Sequence, residues 1–247
     1  MIFIILAIIF STSLLSGLLG MGGGMILAGL LALILPLPVA LFLHAATQFT
    51  ANTYRCLLLK NHIQWVIVLR YAIGLGLVLL VFQLISVQLS VSVFYLLLGT
   101  IALTSFYWPK NWSLDITNSF HAILSGVLVS ALHLFVGVAG PLLDVFYQRS
   151  PLNRYEIVAT KAATQSLGHF ARIGFYMVWL LEDRKGIPIE AMLVAGAVVA
   201  AVIGTHLGKK LLTILSEQSF RRYSQFLLSG IGVLCLWKGS VGLLAGV

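Results

Sequence analysis

Ten apolar runs, separated by Gly, Pro or charge, decide what this chain can fold into. They are roughly Ile2–Leu19, Gly22–Leu35, Pro38–Leu59, Ile63–Ser86, Val91–Trp108, Asn118–Val136, Ala139–Gln148, Arg154–Leu181, Pro188–Leu212 and Phe220–Val241. A membrane-crossing helix takes about 20 mostly apolar residues, and most of the runs approach that length. The second and seventh are shorter. They predict half-helices or re-entrant segments, which membranes tolerate only where they are buried in protein or line a cavity.

Composition points the same way. Of 247 residues, 60% are hydrophobic and 9% charged, with a mean hydropathy of +1.04. A soluble domain carries about a quarter of its residues charged, so lipid is the expected solvent and no run is left for a separate soluble domain. The net charge of +8 is spread singly or in pairs, unlike the clustered footprint of a nucleic-acid binder. Cys56 and Cys235 lie in apolar runs without metal-ligand spacing, as small core residues do. The N-terminus, Met1 to Ala7, lacks the basic start and cleavage site of a signal peptide and reads as a retained first span.

Loop charges orient the chain. With ten crossings and both termini outside, Lys60, Lys110, Arg149, Arg154, Lys209, Lys210, Arg221 and Arg222 fall on the cytoplasmic side, and Arg184, Lys185 and Lys238 outside. That distribution follows the positive-inside rule. Trp65, Trp108, Trp112, Trp179 and Trp237 fall near span ends, where an aromatic belt places them.

A repeat is also present. A gapless shift of 117 residues superposes Gly20 on Gly137 and Gly23 on Gly140. It also superposes Ala45-Ala46-Thr47-Gln48 on Ala162-Ala163-Thr164-Gln165, and Arg55 on Arg172. The fold expected is therefore an all-α polytopic membrane protein of two repeats of about five segments each, residues 1–116 and 117–247. An odd number of segments inverts the second copy. Inverted repeats mark transporters, whose sites lie near the midplane where interrupted segments meet.

Three sets of residues carry the chemistry. Gly22, Gly23 and Gly24 in the first copy, and Gly140 and Pro141 in the second, each begin a short helix after a long one. Free N–H groups and the positive dipole end of such helices suit an anion; close helix packing is the plainer use of the glycines. Thr47, Gln48, Thr164 and Gln165 fall near the midplane, as substrate donors or as interhelical glue worth about 0.6 kcal/mol per contact. Arg55 lies about 9 Å inward of its helix centre at 1.5 Å per residue, and inversion places Arg172 as far outward. Lys161 then joins Arg55, and His44 joins Arg172, as a cationic vestibule on each face; snorkelling to headgroups is the alternative.

The acids set the sign of the substrate. Among Asp115, Asp144, Glu156, Glu182, Asp183, Glu190 and Glu217, only Asp144 falls at membrane depth, with Glu156 near an entrance. Cation pathways carry carboxylates in their spans, so a small anion is expected, with no cofactor and no metal. Asp144 reads as a coupling group or a partner for an arginine. His62, His121, His133, His169 and His206 show no ligand spacing and are expected as structural or interfacial residues. Ser125-Gly126 with His133 lacks the nucleophile elbow of a serine hydrolase, so no enzyme is expected.

With these residues in view, the chain resembles the sulfite exporter TauE/SafE family. The likeness is carried by Gly20-Met-Gly-Gly-Gly24 after a first apolar helix, by Gly140-Pro141, by Ala159-Thr160-Lys161-Ala162 before Gln165, and by overall length. Val138 and Ala139 stand where the family tends to be richer in glycine. The resemblance implies export or uptake of small inorganic or organosulfur anions, sulfite and sulfonates among them, across the bacterial inner membrane. A secondary transporter is the leading expectation, with an anion channel or a non-transporting membrane subunit as rivals. A homodimer is compatible with the sequence.

Overall fold

A computed structural model describes residues 1–19, 22–84, 90–104, 114–182, 191–211 and 217–245. Among these residues the chain is wholly helical. The helices are α1 (Ile2–Leu19), α2 (Gly22–Ile34), α3 (Leu37–Leu58), α4 (Trp65–Leu84), α5 (Val91–Thr104), α6 (Ser119–Val136), α7 (Gly140–Tyr147), α8 (Arg154–Glu182), α9 (Ala191–Leu211) and α10 (Glu217–Leu244). A short 3-10 turn, Lys60–His62, links α3 to α4. Gly20, Met21, Trp108, Lys110, Trp112, Arg184 and Lys185, used in the sequence argument, lie outside the described residues.

Local chemistry sets the boundaries. Pro36 and Pro38 fix the start of α3, where the missing proline N–H leaves no helical bond unmade. Asn118 caps α6 by accepting from the Phe120 and His121 amides at 2.9 and 3.3 Å. Asn153 caps α8 through Tyr155 and Glu156 at 3.0 and 3.1 Å, while the Glu156 carboxylate returns to the Asn153 amide at 2.9 Å. That reciprocal pair is a capping box. Glu156 also accepts from Gln64 Nε2 at 2.7 Å, so this carboxylate is committed to holding the α3–α4 connection against the start of α8.

The apolar helices bear out a membrane setting. Among the described residues, Trp65–Leu84, Ser119–Val136 and Ala191–Gly208 are long and apolar enough to cross a membrane. On α4, Trp65, Leu69, Ile73, Leu77, Leu80 and Leu84 face outward, while Ile67, Tyr71, Gly74, Leu75 and Val78 are buried. A helix apolar on both faces has protein on one side and lipid on the other. In water the outward stripe would be a large exposed patch.

The closest helix pairs are α1 with α9, α5 with α10, α3 with α8, and α4 with α6. Small residues let the backbones meet: a Cβ on Gly74 would strike the Ile123 carbonyl, and one on Gly126 the Tyr71 carbonyl, a small-residue contact typical of membrane helices. One apolar core gathers residues of α1, α2, α3, α5, α9 and α10; a second joins α4, α6 and α7. The short helices α2 and α7 have 13 and 8 residues. At 1.5 Å per residue they extend about 20 and 12 Å, against a hydrocarbon core of about 30 Å. Neither spans that thickness on its own, and His44 of α3 and Lys161 of α8 bond to them.

Candidate functional site

Helices α3 and α8 bring two matching polar stripes together. On α3 the stripe is His44, Thr47, Gln48, Asn52 and Arg55; on α8 it is Lys161, Thr164, Gln165, His169 and Arg172. Steps of three and four residues keep each set on one helical face. Apart from Lys161, which is 14% exposed, all are buried. Burying this many polar groups between apolar helices is costly unless they find partners or a ligand.

Arg55 and Arg172 serve related ends of the structure. Arg55 donates to Asn52 Oδ1 and to the Ser16 carbonyl, both at 3.0 Å, so it holds the last turns of α1. Asn52 in turn donates to the Gln48 carbonyl at 2.9 Å. Arg172 is fully buried and lies against Gly137, the left-handed residue (φ 79°) that closes α6. It donates to His44 Nδ1 at 2.9 Å and makes a longer contact of 3.5 Å with the Gly137 carbonyl. Both guanidiniums thus sit where a helix C-terminus, with its partial negative charge, favours a cation.

The His44 tautomer follows from its neighbours. A guanidinium only donates, so Nδ1 accepts and Nε2 carries the hydrogen, which goes to the Gly24 carbonyl at 3.0 Å. The chain Arg172–His44–Gly24 therefore runs from α8 through α3 to the first turn of α2. At the aligned place in the other copy, Lys161 of α8 forms an ion pair with Asp144 of α7. Both residues tie a stripe helix to the neighbouring short helix, one through a carbonyl and one through a carboxylate.

A cleft opens at the meeting point. Its walls include Gly24 and Gln48 from the first copy, and Val138, Ala139, Gly140 and Gln165 from the second. It is a narrow cleft, open at its mouth. Gln48 is 5% exposed, and its Nε2 has no hydrogen-bond partner among the described residues. The start of α7 faces the same space, and the first amides of a helix have no partners within it. The Gln48 amide and the first amides of α7 therefore give the cleft unpartnered donors of the kind an anion takes.

Of the residues singled out from sequence, Gly24, Gln48, Gly140 and Gln165 line this cleft. Gly23 instead packs on α1, where a Cβ would meet the Thr12 carbonyl and Ser16; Gly22 begins α2. Thr47 is buried with its hydroxyl unpartnered among the described residues, and Thr164 donates to the Lys161 carbonyl at 3.0 Å. Pro141 sits in the first turn of α7. Neither arginine lines the cleft: Arg55 is 8% exposed and Arg172 0%. Each is sealed beside the site rather than open in a vestibule.

Two histidines expected only as structural or interfacial residues, His133 and His169, also lie here, beside the His44 that the sequence paired with Arg172. His44, His133 and His169 all line the cleft, with His133 and His169 ring centroids 4.7 Å apart and His44 edge-on to His169 at 5.7 Å. The rings meet tilted and edge-on, and no group of three potential ligands is placed to hold a metal among the described residues. A signal existed. His169 lies four residues past Gln165 and three before Arg172, on the stripe, and the repeat shift pairs it with Asn52. His133 takes the place of Ser16 four residues before the glycine at each helix end.

No curated protein and no solved structure matches the chain. The family model described as "Sulfite exporter TauE/SafE" matches residues 4–234 of the 247. With both glycine motifs, the paired polar stripes and the apolar helices inside that match, the chain belongs to the sulfite exporter TauE/SafE family of membrane transport proteins.

Proposed function

We propose that this protein is a secondary transporter that moves a small anion, sulfite or a related organosulfur anion, by alternating access across a bacterial inner membrane. The observation that carries the reading is the cleft: the two glycine motifs and the two aligned glutamines, distant in sequence, share its walls. The amides of Gln48 and Gln165 and the N–H groups at the start of α7 are the donors to the anion. Positive charge comes from Arg172 behind Gly137, with Arg55 and Lys161 nearby in the stripes. Hydrogen bonds from fixed donors hold an oxyanion without trapping it, as a direct ion pair in a low dielectric would.

Alternating access needs two bodies that rock about the site. The two apolar cores, each built from helices of both copies, are those bodies. Exchanging the copies maps α1–α9 packing onto α6–α4, and maps α3–α8 and α5–α10 onto themselves. All four closest pairs obey the exchange, which supports an internal twofold relation passing between α3 and α8. The family membership supports the transport of sulfur anions.

Purified protein in liposomes tests this directly. Saturable sulfite uptake, accelerated by sulfite preloaded on the opposite side, is expected of a carrier. Linear, unsaturable flux would make the protein a channel. Absence of flux for sulfite, thiosulfate and sulfonates alike would refute transport of sulfur anions.

A further inference from the structure

We propose that His133 and His169 form a proton-carrying site, so that each anion crosses together with a proton. This rests on the anion-transport reading above and adds the coupling ion to it. His133 comes from the last turn of α6 and His169 from the middle of α8, and they are 2% and 3% exposed. Both rings line the cleft. Among the described residues, Nδ1 of each ring has no hydrogen-bond partner. Buried polar atoms nearly always find one, so two unpartnered imidazole nitrogens on rings that line a substrate cleft mark a ligand that comes and goes. Gly168 keeps the room for His133: a Cβ there would stand 2.7 Å from its Nδ1.

The groups facing the pair set the sign of the coupling. From α3 comes His44, edge-on to His169. From α8 comes Arg172, hydrogen-bonded to His44. The Tyr71 hydroxyl of α4 lies 3.6 Å from where a Gly168 Cβ would be and accepts from Ser130 at 3.3 Å. On α7, Asp144 is held by Lys161, and Tyr147 faces Tyr71. The charge nearest the histidines is therefore positive. A proton on either ring of an empty cleft would repel the Arg172 guanidinium. An anion between Gln48 and Gln165 supplies the missing negative charge, so proton and anion each favour the binding of the other, and by linkage they do so equally.

At this separation the first proton opposes a second, and the pair carries one proton as a unit. The proton arrives from water on the side to which the cleft is open and adds to a ring nitrogen. It returns to water on the other side once the anion has left. Only an N–H bond forms and breaks. A singly charged anion then crosses with no net charge moved.

The test uses proteoliposomes of the full chain with a pH-sensitive dye in the lumen and an inward gradient of methanesulfonate or thiosulfate. Both stay ionised throughout, so a proton entering with them rides on the protein. Wild type is expected to deliver about one proton with each anion, and His133→Gln/His169→Gln none. Protons per anion, not rate, is the readout, because a merely structural role would slow uptake without changing the ratio. The single variants His133→Gln and His169→Gln, expected to show a lowered ratio, guard against loss of the double variant. For sulfite, which carries protons of its own, the difference between wild type and variant is read instead. Anion uptake without acidification by wild type overturns the proposal and leaves transport standing. So does a ratio kept in the histidine variants but lost in Asp144→Asn. No uptake of any of the three anions by wild type overturns the transport reading, and the coupling falls with it.

Discussion

Gly137→Ala should be among the most damaging single-methyl additions in this chain. Gly137 is the one residue with positive φ among those described, at 79°. Placing an L side chain in the left-handed region costs about 1–2 kcal/mol. The new Cβ would also lie on the Arg172 guanidinium. The tip of an arginine usually swings away, but this one is fully buried and hydrogen-bonded to His44. Moving it breaks a charge-assisted bond, which costs about 1.5–3 kcal/mol. The two effects together come to about 2.5–5 kcal/mol, and for a chain of this size each kcal/mol lowers the melting temperature by about 2–4 °C.

Thermal unfolding in detergent measures the effect, with Gly174→Ala as the control. Gly174 lies on α8 near Arg172, and nothing would touch a Cβ there, so its replacement should leave the melting temperature unchanged or slightly raised. The decisive comparison repeats Gly137→Ala in an Arg172→Ala background. With the guanidinium gone only the backbone cost remains, so the penalty should fall by about half. An equal penalty in both backgrounds would refute the claim that Gly137 is glycine because Arg172 lies on it.

Further tests address other parts of the site. Lys161→Met strands the Asp144 carboxylate at membrane depth and should destabilise by up to about 3–5 kcal/mol, while Lys161→Met/Asp144→Leu should regain most of it; a double variant as unstable as the single would show that the ion pair is not what ties α8 to α7. Gln48→Leu and Gln165→Leu should each raise the half-saturating anion concentration about 10–100-fold, the loss of one hydrogen bond to a charged ligand. Unchanged concentration dependence in both would remove the amides from the site. Gly23→Ala should lower the melting temperature by displacing α2 from Thr12 and Ser16 of α1, whereas Gly76→Ala, with open space around it, should not.

The helices were legible in the sequence because membrane helices announce themselves by composition along the chain. All ten apolar runs became helices, and α1, α2, α3, α6, α7 and α8 match within a residue at each end. The boundaries sharpened where side chains cap the backbone, as at Asn118 and Asn153, for which hydropathy holds no information. The two stripes were half legible. Gln48 and Gln165 stood out because both copies preserve them. His169 did not, because the copies differ there: Asn52 is held by Arg55, whereas the His169 Nδ1 has no partner among the described residues.

That difference bears on function. A repeat displays what its two copies share, and what they share here is scaffold: helix ends that accept an arginine, short helices tied to α3 and α8, and paired amides. Coupling to a second species has to break that symmetry, since a proton site needs only one address in the membrane. His133 and His169 stand where the first copy has Ser16 and Asn52, and both line one cleft. Serine and asparagine hydrogen-bond but take up no proton, while a neutral imidazole keeps a nitrogen that accepts one. The departures from the repeat therefore put two imidazoles, in place of a serine and an asparagine, on the lining of the cleft rather than in the lipid-facing shell.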